Sequence, residues 1–303
     1  MTINIVNETF SDDFIEKVIS LGSSYYDSNH YLLDKDYLYW FYEKNPCGNA
    51  SLISVYDQNN LIGFMALIPI NLSYKNENIK AFYAANVLTH PEHRNKNLFV
   101  KMIRFSQEYL KSIKACLIGH PNKNAVPGWK RTKMNFIEDF EVYITRPNLD
   151  PRVRCEKVVH ANQLNELDFS NFYNCDFLSE DIDFDFLKWR YLDCPGKKYT
   201  IYIIRKGNCI IGYKVLKKIK SCVSLLVHYE SNYGEERSVV SSSLMPMLIM
   251  SSPRVDYISS VNQVLLRTKM KKKMPYFVTH YGLVESTYFN NNNVSLTLAC
   301  SDF

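Results

Sequence analysis

Val87-Leu88-Thr89-His90-Pro91-Glu92-His93-Arg94-Asn95-Lys96-Asn97-Leu98-Phe99 is the stretch on which the reading of this chain turns. The apolar run that leads into it, Ala81 to Leu88, reads as a strand. A short polar loop follows. Leu98, Met102, Phe105 and Tyr109 then recur on one helical face, which predicts a helix over residues 97–111. A helix that starts here exposes unpaired N–H groups and the positive end of its dipole. Arg94 and Lys96 add charge to that end, so the junction suits a phosphate.

Working outward, the chain repeats itself. Asp36-Tyr37-Leu38-Tyr39-Trp40-Phe41-Tyr42-Glu43-Lys44-Asn45-Pro46 aligns with Asp185-Phe186-Leu187-Lys188-Trp189-Arg190-Tyr191-Leu192-Asp193-Cys194-Pro195 at an offset of 149 residues. The register continues without a gap, pairing Ser51–Tyr56 with Thr200–Arg205 and Ile62-Gly63 with Ile211-Gly212. The repeated unit reads as a helix, a proline-marked exit, a strand, a polar turn and a second strand. The turns, Asp57–Asn60 and Lys206–Cys209, have hairpin composition. Beyond the opening stretch, Lys114–Ile118 and Glu138–Thr145 read as strands, separated by the break Gly119-His120-Pro121-Asn122. Thr145–Pro151 carries two prolines and reads as a linker. The whole is a mixed α/β (α+β) architecture in two halves, 1–146 and 147–303.

Composition closes off other classes. The 303 residues are 46% hydrophobic and 22% charged, which excludes a disordered chain. No apolar run approaches the ~18 residues of a membrane span. The net charge of +5 lacks the concentrated basic stripe of a nucleic-acid binder. The run Lys269-Met270-Lys271-Lys272-Lys273 reads as a solvated face. None of the eight cysteines forms a C-x-x-C pair, and no H-E-x-x-H or P-loop motif occurs, so neither a metal nor an ATPase is expected. With no basic, apolar leader at Met1–Glu8, the expected compartment is cytoplasmic, with reduced thiols.

Arg94-Asn95-Lys96-Asn97-Leu98-Phe99 resembles the [QR]-x-x-G-x-[GA] signature of the GNAT superfamily of acyl-CoA-dependent N-acyltransferases. Asn97 stands for the first glycine and Phe99 for the second. Asn reaches left-handed backbone conformations, so its substitution is the milder departure. Pro121-Asn122 followed by Trp129 and Asn135-Phe136 resembles a downstream segment of tandem-GNAT proteins. The resemblance implies two tandem GNAT-like domains, each a mixed, mostly antiparallel sheet flanked by helices. The offset maps Arg94 onto Ser243, where no phosphate loop stands, so a single acyl-CoA site is implied, in the first half. Backbone groups at Val87 and Leu88 would meet the pantetheine arm. Residues Arg94, Asn95, Lys96, Asn97, Leu98 and Phe99 would hold the pyrophosphate. The donor would be acetyl-CoA or 3-hydroxybutyryl-CoA, with no metal.

N-acyl transfer needs a base for the amine, a donor for the oxyanion and a departing thiolate. His120, just past a strand end and beside Asn122, ranks first as base; His90 ranks second, while Glu92 and His93 lie near. Asn122 would flank the thioester, and a backbone N–H near Leu88 would meet the oxyanion. Tyr83 could protonate the thiolate, but a strand tyrosine facing the core is the plainer reading. The resemblance further implies an acceptor amine on a nucleotide-linked amino-deoxysugar of bacterial surface-polysaccharide synthesis. Tyr25, Tyr26, Trp40 and Tyr42 could line its site, although a repeated Trp40/Trp189 pair is better explained as core. A peptide, antibiotic or cell-wall acceptor, or a non-catalytic CoA-binding module, stays open. A monomer or homodimer is expected.

Overall fold

The computed structural model describes residues 3–75, 77–134, 136–145, 150–172, 177–196, 199–220, 223–242, 247–250 and 265–279, with Val294 and Leu296. Strand β1 (Ile3–Glu8) leads into helix α1 (Asp12–Ser23), whose N-cap Ser11 accepts the Phe14 N–H. A 3₁₀ turn at Tyr31–Leu33 precedes α2 (Lys35–Tyr42). Then come β2 (Ser51–Asp57), β3 (Asn60–Tyr74) and β4 (Glu77–Thr89). A 3₁₀ segment, Pro91–Lys96, hands over to α3 (Leu98–Ser112), followed by β5 (Cys116–Gly119), α4 (Val126–Lys130) and β6 (Phe136–Thr145). The second half runs through β7 (Val153–Lys157), two 3₁₀ turns, β8 (Ser179–Glu180) and α5 (Phe184–Leu187), which continues as a π-helical turn, Lys188–Leu192. It ends with β9 (Tyr199–Lys206), β10 (Cys209–Lys220), β11 (Val223–Ser231), α6 (Glu236–Ser241), β12 (Met247–Met250) and β13 (Leu265–Thr279).

The repeat is present in three dimensions. Asp34 and Asp183, 149 residues apart, both cap the helix that follows: Asp34 accepts from Asp36 and Tyr37, and Asp183 from Phe186. Gln58 and Gly207, at the same offset, are both left-handed and turn the two hairpins, at φ 57° and 61°. Trp40 and Trp189 stack with centroids 5.2 Å apart. Each indole N–H donates to the other tryptophan's carbonyl, at 2.9 and 3.0 Å. The two copies of the helix thus face each other across a pseudo-two-fold axis, and the tryptophans are core.

The sheet order is β1-β2-β3-β4-β5-β13-β6-β12-β11-β10-β9-β7, with β8 pairing β3. Each half gives a mostly antiparallel set with one parallel pair, β4 with β5 and β11 with β12. The two sets are continuous, and their last strands are exchanged. β6, from the first half, pairs with β12 of the second, and β13, from the second, pairs with β5 of the first. β6 and β13 meet at the centre. The lysine run 269–273 therefore lies in a strand between β5 and β6; its side chains lie outside the described residues.

One core lies against a shared face of both halves and includes Phe14, Trp40, Tyr42, Trp189 and Tyr213. A second fills the space between the first half's strands and α3, with Met65, Met102, Ile103 and Trp129. The buried face of α3 is rotated from the expected one: Leu98, Met102, Ile103, Ser106 and Leu110 are buried, while Phe105 and Tyr109 lie at its margin. Tyr109 keeps its hydroxyl at the edge, where it bonds Ser51 Oγ at 3.1 Å. Among the described residues, no helix is long and apolar enough to cross a membrane.

Candidate acyl-CoA site

β4 and β5 run parallel only over Ala81–Tyr83 and Cys116–Ile118. β4 then continues to Thr89 while β5 stops at Gly119, so the two strands part. In the parted stretch β4 bulges. Phe64 faces Leu88 and Ala66 faces Ala85, which leaves one more residue on β4 than on β3. Asn86 takes the left-handed conformation there, φ 51°. Its Nδ2 donates to the buried Tyr42 hydroxyl at 2.8 Å, tying the bulge to α2. Its Oδ1 is buried without a hydrogen-bond partner among the described residues.

Beyond the bulge, Asn97 sits at φ 54°, ψ 30° between the 3₁₀ segment and α3. This is the left-handed geometry expected where the signature has glycine. The first N–H groups of α3 point back into the loop. Arg94 and Asn95 are exposed, and Lys96 is half-buried. The Arg94 guanidinium lies 5.0 Å from the centroid of the Tyr25 ring. Lys96 Nζ donates to His93 Nδ1 at 2.9 Å and pairs with Asp57 at 3.7 Å. Leu88 and Leu98 are buried, so they have only backbone groups to offer a ligand. Phe99 is half-buried, edge-on to Trp129 at 5.6 Å. Gly128 makes room for it: a Cβ there would lie 2.2 Å from the Phe99 ring. Gly128 on α4 thus seats the Phe99 ring against Trp129.

His120 and Asn122 lie together at the end of β5, on the far side of the parting from the loop. His120 is half-buried, with its Nε2 enclosed. The exposed Asn122 accepts the Asn124 and Ala125 N–H groups, each at 3.0 Å, and so shapes the turn into α4. His90 groups instead with Glu92 and His93. It lines a 740 Å³ cavity with Lys17, Asp57 and Asn59, and neither His120 nor Asn122 lines that cavity. Tyr83 is buried in the core. Burial pushes the Cys47 thiol up to about 11, which removes it as a nucleophile at neutral pH.

Residues 9–122 match the family model of the acetyltransferase (GNAT) domain. That match spans helix α1 through strand β5. Its fold is similar to that of a GCN5-related N-acetyltransferase from Anabaena variabilis, with a TM-score of 0.63 at 11% identity over 93% of this chain and 73% of that one. A GCN5-related N-acetyltransferase from Kribbella flavida gives a TM-score of 0.61 at 9% identity, over 92% and 71%. A conserved protein from Enterococcus faecalis gives 0.62 at 10%, over 92% and 72%. No curated protein matches the sequence. The likeness of fold extends well beyond residue 122, across both halves.

GNAT domains act on acyl-CoA, and the residues present fit one. The bulge at Asn86 lies in the part of β4 that β5 does not pair, which leaves the edge of β4 beyond Tyr83 open to a ligand's amide groups. The left-handed Asn97 opens α3 toward an anion. The sequence reading passed over Asn86, although an asparagine inside an apolar strand is itself a signal: Asn is depleted in strands and reaches left-handed backbone. Among the described residues the second half shows no such loop. Its counterpart to α3 is the six-residue α6, and a lysine, Lys214, is buried beneath it.

Proposed function

We propose that the chain is an acyl-CoA-dependent N-acyltransferase whose donor binds between β4 and β5 of the first half. The parting of these strands over the Asn86 bulge is the observation that carries the reading. It exposes backbone from Val87 to Thr89 on one side and leads to the N–H groups at the start of α3 on the other. Arg94 and Lys96 would meet the pyrophosphate, and the backbone at Val87 and Leu88 the pantetheine arm. His120 stands at the end of the strand that forms the opposite wall, within a turn shaped by Asn122, and would take the amine proton directly or through one water. A backbone N–H next to the bulge, near Leu88, would meet the oxyanion. The protein would act as a monomer or homodimer in the cytoplasm, with residues 1–146 and 147–303 as its two units.

For the acceptor we carry forward an amine on a nucleotide-linked amino sugar. A 460 Å³ cavity, lined by His30, Tyr31, Tyr37, Tyr199 and the buried Arg190, supports it by offering rings for a base and a cation for phosphate. Ring contacts link it to the loop: Arg94 lies over Tyr25, Tyr25 touches Tyr26, and Tyr26 stacks on His30 at 3.6 Å.

Calorimetric titration with acetyl-CoA and 3-hydroxybutyryl-CoA tests the donor. One site per chain is expected. Arg94→Ala removes a charge-assisted hydrogen bond of ~1.5–3 kcal/mol, at least tenfold in affinity. Unchanged affinity in a folded variant would overturn this placement of the pyrophosphate. Turnover on a panel of nucleotide amino sugars, against peptides, then decides the acceptor.

A further inference from the structure

We infer that His90, Glu92 and His93 form a binding site for a divalent transition metal of the zinc class, at the entrance to the phosphate loop. One ligand atom from each of the three lies within 4.8 Å of the others. Three donors around a tetrahedral zinc stand about 3.4 Å apart, given bonds of ~2.0–2.2 Å. Closing that difference takes side-chain rotation alone, since Glu92 is exposed and both histidines are half-buried. The backbone beneath them is fixed. His90 N–H donates to the Ile62 carbonyl at 2.8 Å, and His93 N–H donates to the His90 carbonyl at 2.9 Å. Pro91 stiffens the turn between them. Two imidazoles and a carboxylate suit zinc and its neighbours better than magnesium or calcium, which take oxygen ligands. The cavity alongside leaves a fourth position open to water, with the Asp57 carboxylate on its wall.

The site is coupled to the phosphate loop through Lys96. An ammonium only donates, so the 2.9 Å contact with His93 makes Nδ1 the acceptor. A metal bound through Nδ1 takes that lone pair directly. A metal bound through Nε2 shifts the ring proton to Nδ1, which then cannot accept. Either way, metal on His93 and the Lys96 hydrogen bond exclude each other. Lys96→Met therefore tightens metal binding. In this half of the argument, which rests on the proposed function, a pyrophosphate that draws Lys96 away also favours the metal, and by linkage the metal tightens acyl-CoA by the same factor.

The test is a titration of the untagged full chain with zinc chloride, first without CoA. One zinc per chain is expected. His90→Ala, His93→Ala and Glu92→Gln should each weaken it, the histidine variants at least tenfold. His160→Ala, in the second half, should not change it. Lys96→Met should strengthen it severalfold. Absence of saturable zinc uptake, or uptake unchanged in all three ligand variants, overturns the site. Uptake unchanged in Lys96→Met overturns the coupling. Zinc binding by a chain that does not bind acyl-CoA would leave the metal site standing and remove the proposed function instead.

Discussion

Lys214 offers the sharpest test of the physical reading of the second half. It lies in β10, 1% exposed. Its ammonium donates to Val239 O at 3.1 Å, Ser242 O at 2.5 Å and Ser242 Oγ at 2.9 Å, at the C-terminal end of α6. Carbonyls at a helix end attract a cation. Burial nevertheless dominates and lowers the pKa from the ordinary 10.5 to about 8, against a smaller upward pull from Cys155. At ~1.4 kcal/mol per unit, that shift is worth about 3 kcal/mol. The sign follows from the order of the two values. Between about pH 8 and 10.5 the unfolded chain binds the proton and the folded chain does not, so stability rises with pH across that window. Below pH 8 both states are protonated and the penalty is constant. The perturbation is Lys214→Met, which installs the side chain that the first half carries 149 residues earlier, the fully buried Met65 under α3. Urea unfolding of both proteins at several pH values from 7 to 10.5 gives a difference curve in which the groups they share cancel. That difference should move in favour of the wild type by up to about 3 kcal/mol from pH 8 upward. Parallel curves would refute a buried, depressed lysine.

Three further outcomes are expected. Gly128→Ala should destabilise by ~1–3 kcal/mol, because its Cβ meets the Phe99 ring, and Phe99→Leu in the same chain should recover part of the loss in thermal unfolding. Trp40→Phe and Trp189→Phe should each cost ~1–3 kcal/mol by stranding a buried carbonyl, and a double-mutant cycle should show that the two losses do not add. Residues 1–146 expressed alone should lack native hydrogen-exchange protection in β5, because that strand loses its β13 neighbour; full-strength protection there would contradict the exchanged sheet.

Much of this architecture was legible from local chemistry. The hairpin turns and the tryptophans repeat at one offset because each is decided by residues close in sequence. Asn97 could be placed as a glycine substitute because backbone conformation is a property of the residue itself. The strand exchange left no such trace. A strand's neighbour in a sheet is set by global topology, and β6 reads the same beside β12 as beside β5. The rotated face of α3 was missed for a related reason. Phe105 and Tyr109 follow a helical spacing, but Ser106 is what sits at the centre of the buried face, its hydroxyl satisfied by the Met102 carbonyl at 2.9 Å. A small polar residue that bonds its own helix costs little to bury, and hydrophobic periodicity does not register it. The gathering of His90, Glu92 and His93 was hidden in the same way, since no standard ligand spacing announces it.

The exchange changes what the second half is for. The wall of the candidate site opposite the bulge is β5, a strand of only four residues. On one side it pairs with β4 over three residues before the two part. On the other it is held by Leu117, Ile118 and Gly119 pairing with Thr279, Val278 and Phe277 of β13. A strand that must stand away from one neighbour to admit a ligand needs firm support from the other, because unpaired backbone gains nothing from staying extended. That support comes from the second half of the chain. The Tyr42 hydroxyl that anchors the Asn86 bulge belongs to α2, and α2 is in turn fixed to its second-half copy by the paired tryptophans. Both walls of the parting therefore depend on contacts across the pseudo-two-fold axis. A second copy that kept its strands and its tryptophan while its helices shortened is what such a supporting role requires.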